Sequence, residues 1–74
     1  MSPRLPVFKP SELIRLLEQH GFRRIDQTGS HVKMHNGDEN ITVIVPDHKG
    51  KDIHPGLANA ILRQAGIDLN SLRR

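Results

Sequence analysis

Residues 31–46 read HVKMHNGDENITVIVP, two runs of β-prone side chains separated by a turn signal. Alternation of apolar and polar residues is typical of a β-strand with one buried face. Asn36-Gly37 is a strong hairpin signal, and Pro46 cannot donate a further hydrogen bond to a sheet. We therefore predict a hairpin whose strands cover residues 31–35 and 41–45.

The register of this hairpin follows from which side chains must be buried. Val32 and Met34 must share the buried face with the apolar residues of the second run, because a slip of one residue would turn them to solvent. A connecting loop of four residues, 37–40, keeps both sets on the same side. On the opposite face, the predicted cross-strand pairs are His31 with Pro46, Lys33 with Ile44, and His35 with Thr42.

A helix and a further strand are predicted before the hairpin. Pro10 suits the first helical position, Glu12 complements the helix dipole, and apolar residues recur at helical spacing until Gly21 stops the helix. We place this helix over residues 10–20. A short strand over residues 22–28 follows it and ends at Gly29, which we interpret as a turn or bulge.

A second helix is predicted after the hairpin. Pro55 and Gly56 introduce it and Gly66 closes it. The apolar residues at helical positions are Leu57, Ala58, Ile61, Leu62 and Ala65. The tail, with Ile67, Leu69 and Leu72, is expected to pack onto the core. The predicted fold class is α+β, in the order α-β-β-β-α, with a three-stranded antiparallel sheet and both helices on one face.

Composition narrows the class of protein. The 74 residues include no cysteine, which excludes disulfide bonds and thiolate metal sites and favours a cytoplasmic location. No apolar run approaches the roughly 18 residues of a membrane span, and the proline-containing start lacks the apolar centre of a signal peptide. We expect residues 1–8 to form a flexible leader and residues 9–74 to form a single domain.

The charge balance leaves two readings open. Eleven Lys and Arg residues against eight Asp and Glu give a formal net charge of +3 with neutral histidines. Such a balance favours polyanion partners, and a mildly basic, solvated surface explains it equally well. The placement of the charges must decide between them.

His31 is the best candidate for chemistry on RNA. Cleavage of RNA without a metal needs a base, an acid and cations for the phosphate, and imidazole can serve as acid or base near neutral pH. Lys33 and the lysines of the following loop, Lys49 and Lys51, are the natural phosphate contacts. Ser30 could orient the imidazole or hold a phosphate oxygen, although a Gly-Ser pair is usually only a turn.

A second proton-transfer group is harder to identify. His35 lies about 13 Å from His31 along a strand, too far to flank the same phosphate. The predicted register brings His31 beside the loop that contains His48, so His48, or water, is the more plausible partner.

Each candidate also has a simpler explanation. A histidine on an open strand face is more often an exposed polar residue than a catalyst, and a lysine pair in a loop is more often only solvated. The histidines at 31, 35, 48 and 54 could bind a transition metal, but they do not have a compact ligand spacing. His20, at the end of the first helix, is expected to complement the helix dipole.

The ordered set of short motifs resembles the HicA (YcfA-like) family of toxins. No single motif is specific to the family, but the order of these motifs within so short a chain is specific. The resemblance covers about residues 9–67. The segments that carry it are Glu12-Leu13-Ile14-Arg15-Leu16-Leu17, Gly21-Phe22, Gly29-Ser30-His31, Val43-Ile44-Val45-Pro46-Asp47-His48, Gly50-Lys51-Asp52-Ile53, Pro55-Gly56 and Ile61-Leu62-Arg63-Gln64-Ala65-Gly66-Ile67.

This resemblance implies a fold, an activity and a partner. The fold is the double-stranded-RNA-binding-like α-β-β-β-α arrangement. The activity is that of a type II toxin, an endoribonuclease that cleaves mRNA and arrests translation, with the histidine of the Gly-Ser-His motif, here His31, as the catalytic residue. No metal or small-molecule cofactor is implied. The partner is an antitoxin of the HicB family, expected to cover the histidine face, and no membrane is involved.

The chain departs from the family just after His31. Relatives are commonly richer in histidine or aromatic residues there, whereas this chain has Val32, Lys33 and Met34. Little ring surface is left for stacking on bases, so we expect recognition through the RNA backbone and 2′-hydroxyl groups. Besides the leading interpretation, a toxin ribonuclease, a noncatalytic RNA-binding module and a protein that binds only other proteins remain open.

Overall fold

Five elements follow one another along the part of the chain that the computed structural model describes, residues 7–68. The three strands form one antiparallel sheet in the order β1-β2-β3. This confirms the predicted α-β-β-β-α arrangement and its antiparallel sheet. The elements are α1 (Pro10–Gln19), β1 (Arg23–Thr28), β2 (His31–Asn36), β3 (Ile41–Pro46) and α2 (Pro55–Gln64).

The register between β2 and β3 is also as predicted. His31 pairs with Pro46, and Lys33 pairs with Ile44. The side chains of Val32 and Met34 are buried on the other face. Because side chains alternate along a strand, this register leaves one face of the hairpin in the core and the other in contact with solvent.

The helices cover the buried face. Both contact β3, and each contributes apolar side chains at helical spacing. Leu57 was predicted to belong to the inner stripe of α2, but 46% of it is exposed, so this stripe is narrower than the sequence indicates. The core contains Leu13, Ile14, Leu17, Phe22, Val32, Met34, Val43, Val45, Ile53, Ala58, Ile61, Leu62, Ala65 and Ile67.

Strand β1 lies outside this layered core. All six of its residues are exposed. Arg24 pairs with Met34 and Asp26 pairs with Lys33, so Ile25 between them forms a bulge, with 55% of its surface exposed. Bulges and charged side chains are common devices for discouraging pairing at the edge of a sheet. The helices therefore bury the face of β2 and β3 while β1 forms a polar margin.

Asn36, at the end of β2, is the one buried polar residue of the described chain, with 6% exposed. Its Nδ2 donates to the carbonyl oxygen of His20 at 3.1 Å. Its Oδ1 accepts hydrogen bonds from the backbone N–H groups of Asp38 at 3.0 Å and Glu39 at 3.2 Å. One side chain thus ties the hairpin loop to the end of α1.

The two ends of the described chain pack against the core. The backbone N–H of Ile53 donates to the carbonyl of Phe8 at 2.8 Å, and the Phe8 side chain packs against the core. The rest of the predicted leader, residues 1–6, lies outside the described residues. Ile67 is buried as expected of the tail, whereas Leu69 and Leu72 fall outside the described range. Within residues 7–68, neither helix has the length and hydropathy to cross a membrane.

Candidate functional site

The open face of the sheet presents three cross-strand rows of side chains. Strand pairing and the alternation of side chains place them side by side, because paired residues point to the same face. The rows are Thr28, His31 and Pro46; Asp26, Lys33 and Ile44; and Arg23, His35 and Thr42.

His31 is the first residue of β2, and a two-residue turn precedes it. Gly29 has a φ of +57°, a left-handed conformation that glycine adopts readily, and the turn pairs Thr28 directly with His31. The His31 side chain is exposed. It lines an open depression of about 330 Å³ together with Asp26, Thr28, Lys33 and Ile44.

The loop after β3 folds back towards this turn. The backbone N–H of Asp47 donates to the carbonyl of Ser30 at 2.6 Å, which extends the hairpin by one hydrogen bond. Asp47 Oδ1 in turn accepts from the N–H of Gly50 at 3.1 Å, and the N–H of Lys51 donates to the carbonyl of His48 at 3.1 Å. The loop is therefore compact and tied to the Gly29-Ser30 turn.

This loop brings His48 next to His31. The two ring centroids are 6.2 Å apart, and the ring planes are inclined at 78°. His48 lines a second open depression, of about 500 Å³, with Gly29, Ser30, Asp47, Lys49 and Lys51. The sequence-predicted site residues thus line two depressions. Each depression contains one of the two histidines, and the histidine rings are neighbours.

The lysines of the site form no ion pair with a carboxylate of the described residues. The structure gives no ion pair to Lys33, Lys49 or Lys51 within residues 7–68, whereas Lys9 and Asp52 form one at 3.4 Å. Lys33 follows His31 on the same face at about 6.6 Å along the strand. These ammonium groups are therefore available to an anion that approaches the histidines.

The remaining histidines do not join the site. His35 Nδ1 is 2.8 Å from Thr42 Oγ1, in the row farthest from His31. His54 Nδ1 accepts from the N–H of Gly56 at 3.0 Å and caps the start of α2, while His20 ends α1. In the described part of the chain, no three or more His, Asp or Glu residues are grouped so that they could hold one metal ion.

Sequence reasoning missed the contribution of β1. Asp26 and Thr28 line the depression beside His31, and neither was a candidate. The signal for Thr28 was present, since a two-residue turn over Gly29-Ser30 pairs the flanking positions. Simple alternation from Thr28 also places Asp26 on this face, whereas the bulge at Ile25 shifts the register of Arg23 beyond it.

The arrangement has the groups that phosphodiester chemistry requires. Two imidazoles can exchange protons near neutral pH, and unpaired ammonium groups can neutralise phosphate oxygens. The face is open, so a polymer can lie across it. An extended, charged chain is a better match for such a surface than a small molecule, which needs an enclosed pocket.

Comparison with known proteins gives one family. The model of the family described as HicA toxin of bacterial toxin-antitoxin matches residues 10–67 of the 74-residue chain. The match starts at the first residue of α1 and ends at Ile67, so it covers all five elements and both histidines of the site. A comparison with curated proteins finds no match.

Proposed function

This chain belongs to the HicA toxin family of toxin–antitoxin systems, and we propose from that premise that it is a metal-independent endoribonuclease that cleaves mRNA and arrests translation. Toxins of this family are generally ribonucleases. The observation that carries the proposal is the exposed His31, at the edge of a sheet face whose lysines have no ion pairs within the described residues. Because mRNA is the proposed substrate, we propose that the protein acts in the cytoplasm.

In this proposal His31 acts as general acid or base. Removal of the proton from a ribose 2′-hydroxyl lets that oxygen attack the adjacent phosphorus, and a positioned imidazole typically contributes a factor of about 10²–10⁴ to such a step. Lys33, Lys49 and Lys51 contact phosphate oxygens and stabilise the charge that builds up in the transition state. Ser30, beside the histidine, orients the ring or holds a phosphate oxygen.

RNA recognition is proposed to depend on the backbone of the substrate. The chain has two phenylalanines and no tyrosine or tryptophan, and Phe22 is buried in the core while Phe8 packs against it. Apart from the histidine rings, the open face therefore offers no aromatic side chain within the described residues for the stacking of bases. Contacts to phosphates and 2′-hydroxyl groups remain, and the 2′-hydroxyl groups distinguish RNA from DNA.

The same face is proposed to bind the antitoxin. Membership in the family implies a cognate antitoxin, which we expect to be a protein of the HicB family. An antitoxin that covers His31 and the neighbouring lysines would block the substrate and neutralise the toxin at once. Its contact surface should be acidic or otherwise complementary to these cations. We propose that residues 9–74 form the single domain on which both partners act.

The test is cleavage of RNA by the purified protein, with His31→Ala compared with the matched variant His35→Ala. His35 lies on the same strand and face but in the row farthest from His31. We expect cleavage to survive EDTA, to be lost in His31→Ala and to persist in His35→Ala, with growth arrest in cells following the same order. Equal cleavage or equal growth arrest by the wild type and His31→Ala would rule out His31 as the catalytic residue. RNA binding without cleavage by the wild type would identify a noncatalytic RNA-binding module.

A further inference from the structure

We propose that His31 and His48 form an acid–base pair, one ring removing the proton from the 2′-hydroxyl and the other protonating the leaving oxygen. The proposal rests on the ribonuclease function proposed above and identifies the second proton-transfer group of that reaction. It starts from the 6.2 Å between the ring centroids and from the two depressions that the rings line.

The separation of the rings suits one phosphate. A general acid or base must come within about 2.6–3.2 Å of the oxygen that it serves, and both oxygens are bonded to the same phosphorus, so the two rings must lie close to each other. The 6.2 Å between the ring centroids of His31 and His48 meets this condition. His35, about 13 Å from His31 along the strand, does not.

The reaction balances with these two rings alone. The neutral imidazole takes the 2′-hydroxyl proton as the 2′-oxygen forms a bond to phosphorus. The bond from phosphorus to the 5′-oxygen of the next nucleotide breaks, and the imidazolium gives its proton to that oxygen. The products are a 2′,3′-cyclic phosphate and a 5′-hydroxyl end, and one proton has moved from one ring to the other through the substrate. No oxidant, reductant or metal ion enters the balance.

Other charged groups near the rings suit different roles. The groups beside His31 on the open face are Asp26 and Lys33, and those beside His48 in its loop are Asp47, Lys49 and Lys51. Each carboxylate accepts one backbone hydrogen bond, Asp26 Oδ1 from the N–H of Gln27 at 2.8 Å and Asp47 Oδ1 from that of Gly50, and Asp26 lies across the strands from Lys33. The ammonium groups carry the charge that a phosphate needs, which leaves the two imidazoles for proton transfer.

The backbone holds the pair together. The hydrogen bond from the Asp47 N–H to the Ser30 carbonyl joins the residue before His48 to the residue before His31. The next pair along the strands, His31 with Pro46, belongs to the regular ladder. The distance between the rings is therefore set by the end of the sheet rather than by a free loop, which is the preorganisation that proton transfer requires.

The test removes the need for the acid. The cleavage site in an RNA oligonucleotide is first mapped with the wild-type protein, and the bridging 5′-oxygen at that site is then replaced by sulfur, a leaving group that departs without a proton. His31→Asn, His48→Asn and the control His35→Asn are compared on both oligonucleotides. On ordinary RNA we expect both site variants to lose a factor of about 10² or more, and the control to match the wild type.

On the sulfur-containing RNA, we expect one site variant to recover to nearly the wild-type rate, which identifies the acid, while the other remains impaired and is the base. Full cleavage of ordinary RNA by His48→Asn would overturn the pair, as would failure of both variants to recover. In either case loss of activity in His31→Asn would leave the ribonuclease function standing. Thermal melting of each variant, with His48→Gln as a second substitution, separates a chemical effect from misfolding.

Discussion

The two ends of β2 use their polar residues in opposite ways. At one end Asn36 is buried, and its amide makes three hydrogen bonds to the backbone of α1 and of the hairpin loop. At the other end His31 is exposed, and its ring centroid lies 6.2 Å from that of His48. The two residues are five positions apart on one strand, a distance of about 16 Å.

This contrast separates stability from chemistry within one element. A buried amide whose hydrogen bonds are all made within the protein supports the fold, and removing it leaves partners unsatisfied. An exposed imidazole without such bonds contributes little to folding and stays available to a ligand. Substitutions at the two ends should therefore change different measurable properties, and the following predictions test whether they do.

The largest effect is expected at the His31 end. His31→Ala should reduce the rate of RNA cleavage by a factor of about 10²–10⁴, because a positioned proton-transfer group is lost. The free energy of unfolding should change by no more than about 0.5 kcal/mol, as for other exposed residues. Cleavage kinetics and urea denaturation on the same preparation check both statements. A large loss of stability in His31→Ala would contradict the proposed difference between the two ends of β2.

The opposite result is expected for Asn36→Ala. The carbonyl of His20 and the N–H groups of two loop residues lose their partner, which should lower the free energy of unfolding by about 2–3 kcal/mol. Cleavage per folded molecule should be unchanged. Asp38→Ala is the matched control, because it alters a side chain of the same loop and keeps the N–H that Asn36 binds. Equal denaturation midpoints for the two variants would contradict the role of the amide.

A smaller effect at the same end is expected for Gly21→Ala. Gly21 has a φ of +92°, which a residue with a Cβ adopts at a cost of about 1–2 kcal/mol. A Cβ there would also lie 3.2 Å from Asn36 Nδ2, a close contact with the amide itself. Gly37→Ala is the control, since its φ is not positive and an added Cβ meets nothing within 4 Å. Thermal denaturation of the two variants gives the comparison.

The smallest effect is expected from a single charge in the loop after β3. Lys51→Gln should weaken RNA binding several-fold at low salt and reduce the slope of log affinity against log salt by about 0.7, the value for one phosphate contact on a single strand. Arg15→Gln removes an equal charge from the outer face of α1 and should leave the slope unchanged. Titrations of labelled RNA at several salt concentrations measure both slopes, and equal slopes would place Lys51 outside the RNA contact.

Much of the fold could be predicted because its signals are local. The alternation at Val32 and Met34 and the four-residue loop together allow only one register, and the structure confirms it. The same register pairs His31 with Pro46, the last residue of β3, so it also placed His31 beside the loop that follows β3. Here a period of two residues and a count of loop residues carried the prediction, and neither depends on distant parts of the chain.

What could not be predicted depends on contacts between distant residues. Asn36 was assigned only to a turn, because its hydrogen bond to the His20 carbonyl, 16 positions away, leaves no mark in a local pattern. No local sequence pattern indicates the bulge at Ile25 either. The separation of His31 and His48 depends on the hydrogen bond from Asp47 to Ser30, which fixes the start of the loop at the end of the sheet, and left-handed residues continue the loop after His48.

One of those left-handed residues has a consequence for how this protein could be engineered. Lys49 has a φ of +55°, a conformation that glycine adopts without cost and a lysine only at the expense of folding free energy. Lys49→Gly should therefore yield a more stable protein that has lost a cation from the rim of its site. A search for thermostable variants would select this substitution and would lose a proposed phosphate contact with it. The φ angle of one residue would then raise stability at the expense of activity.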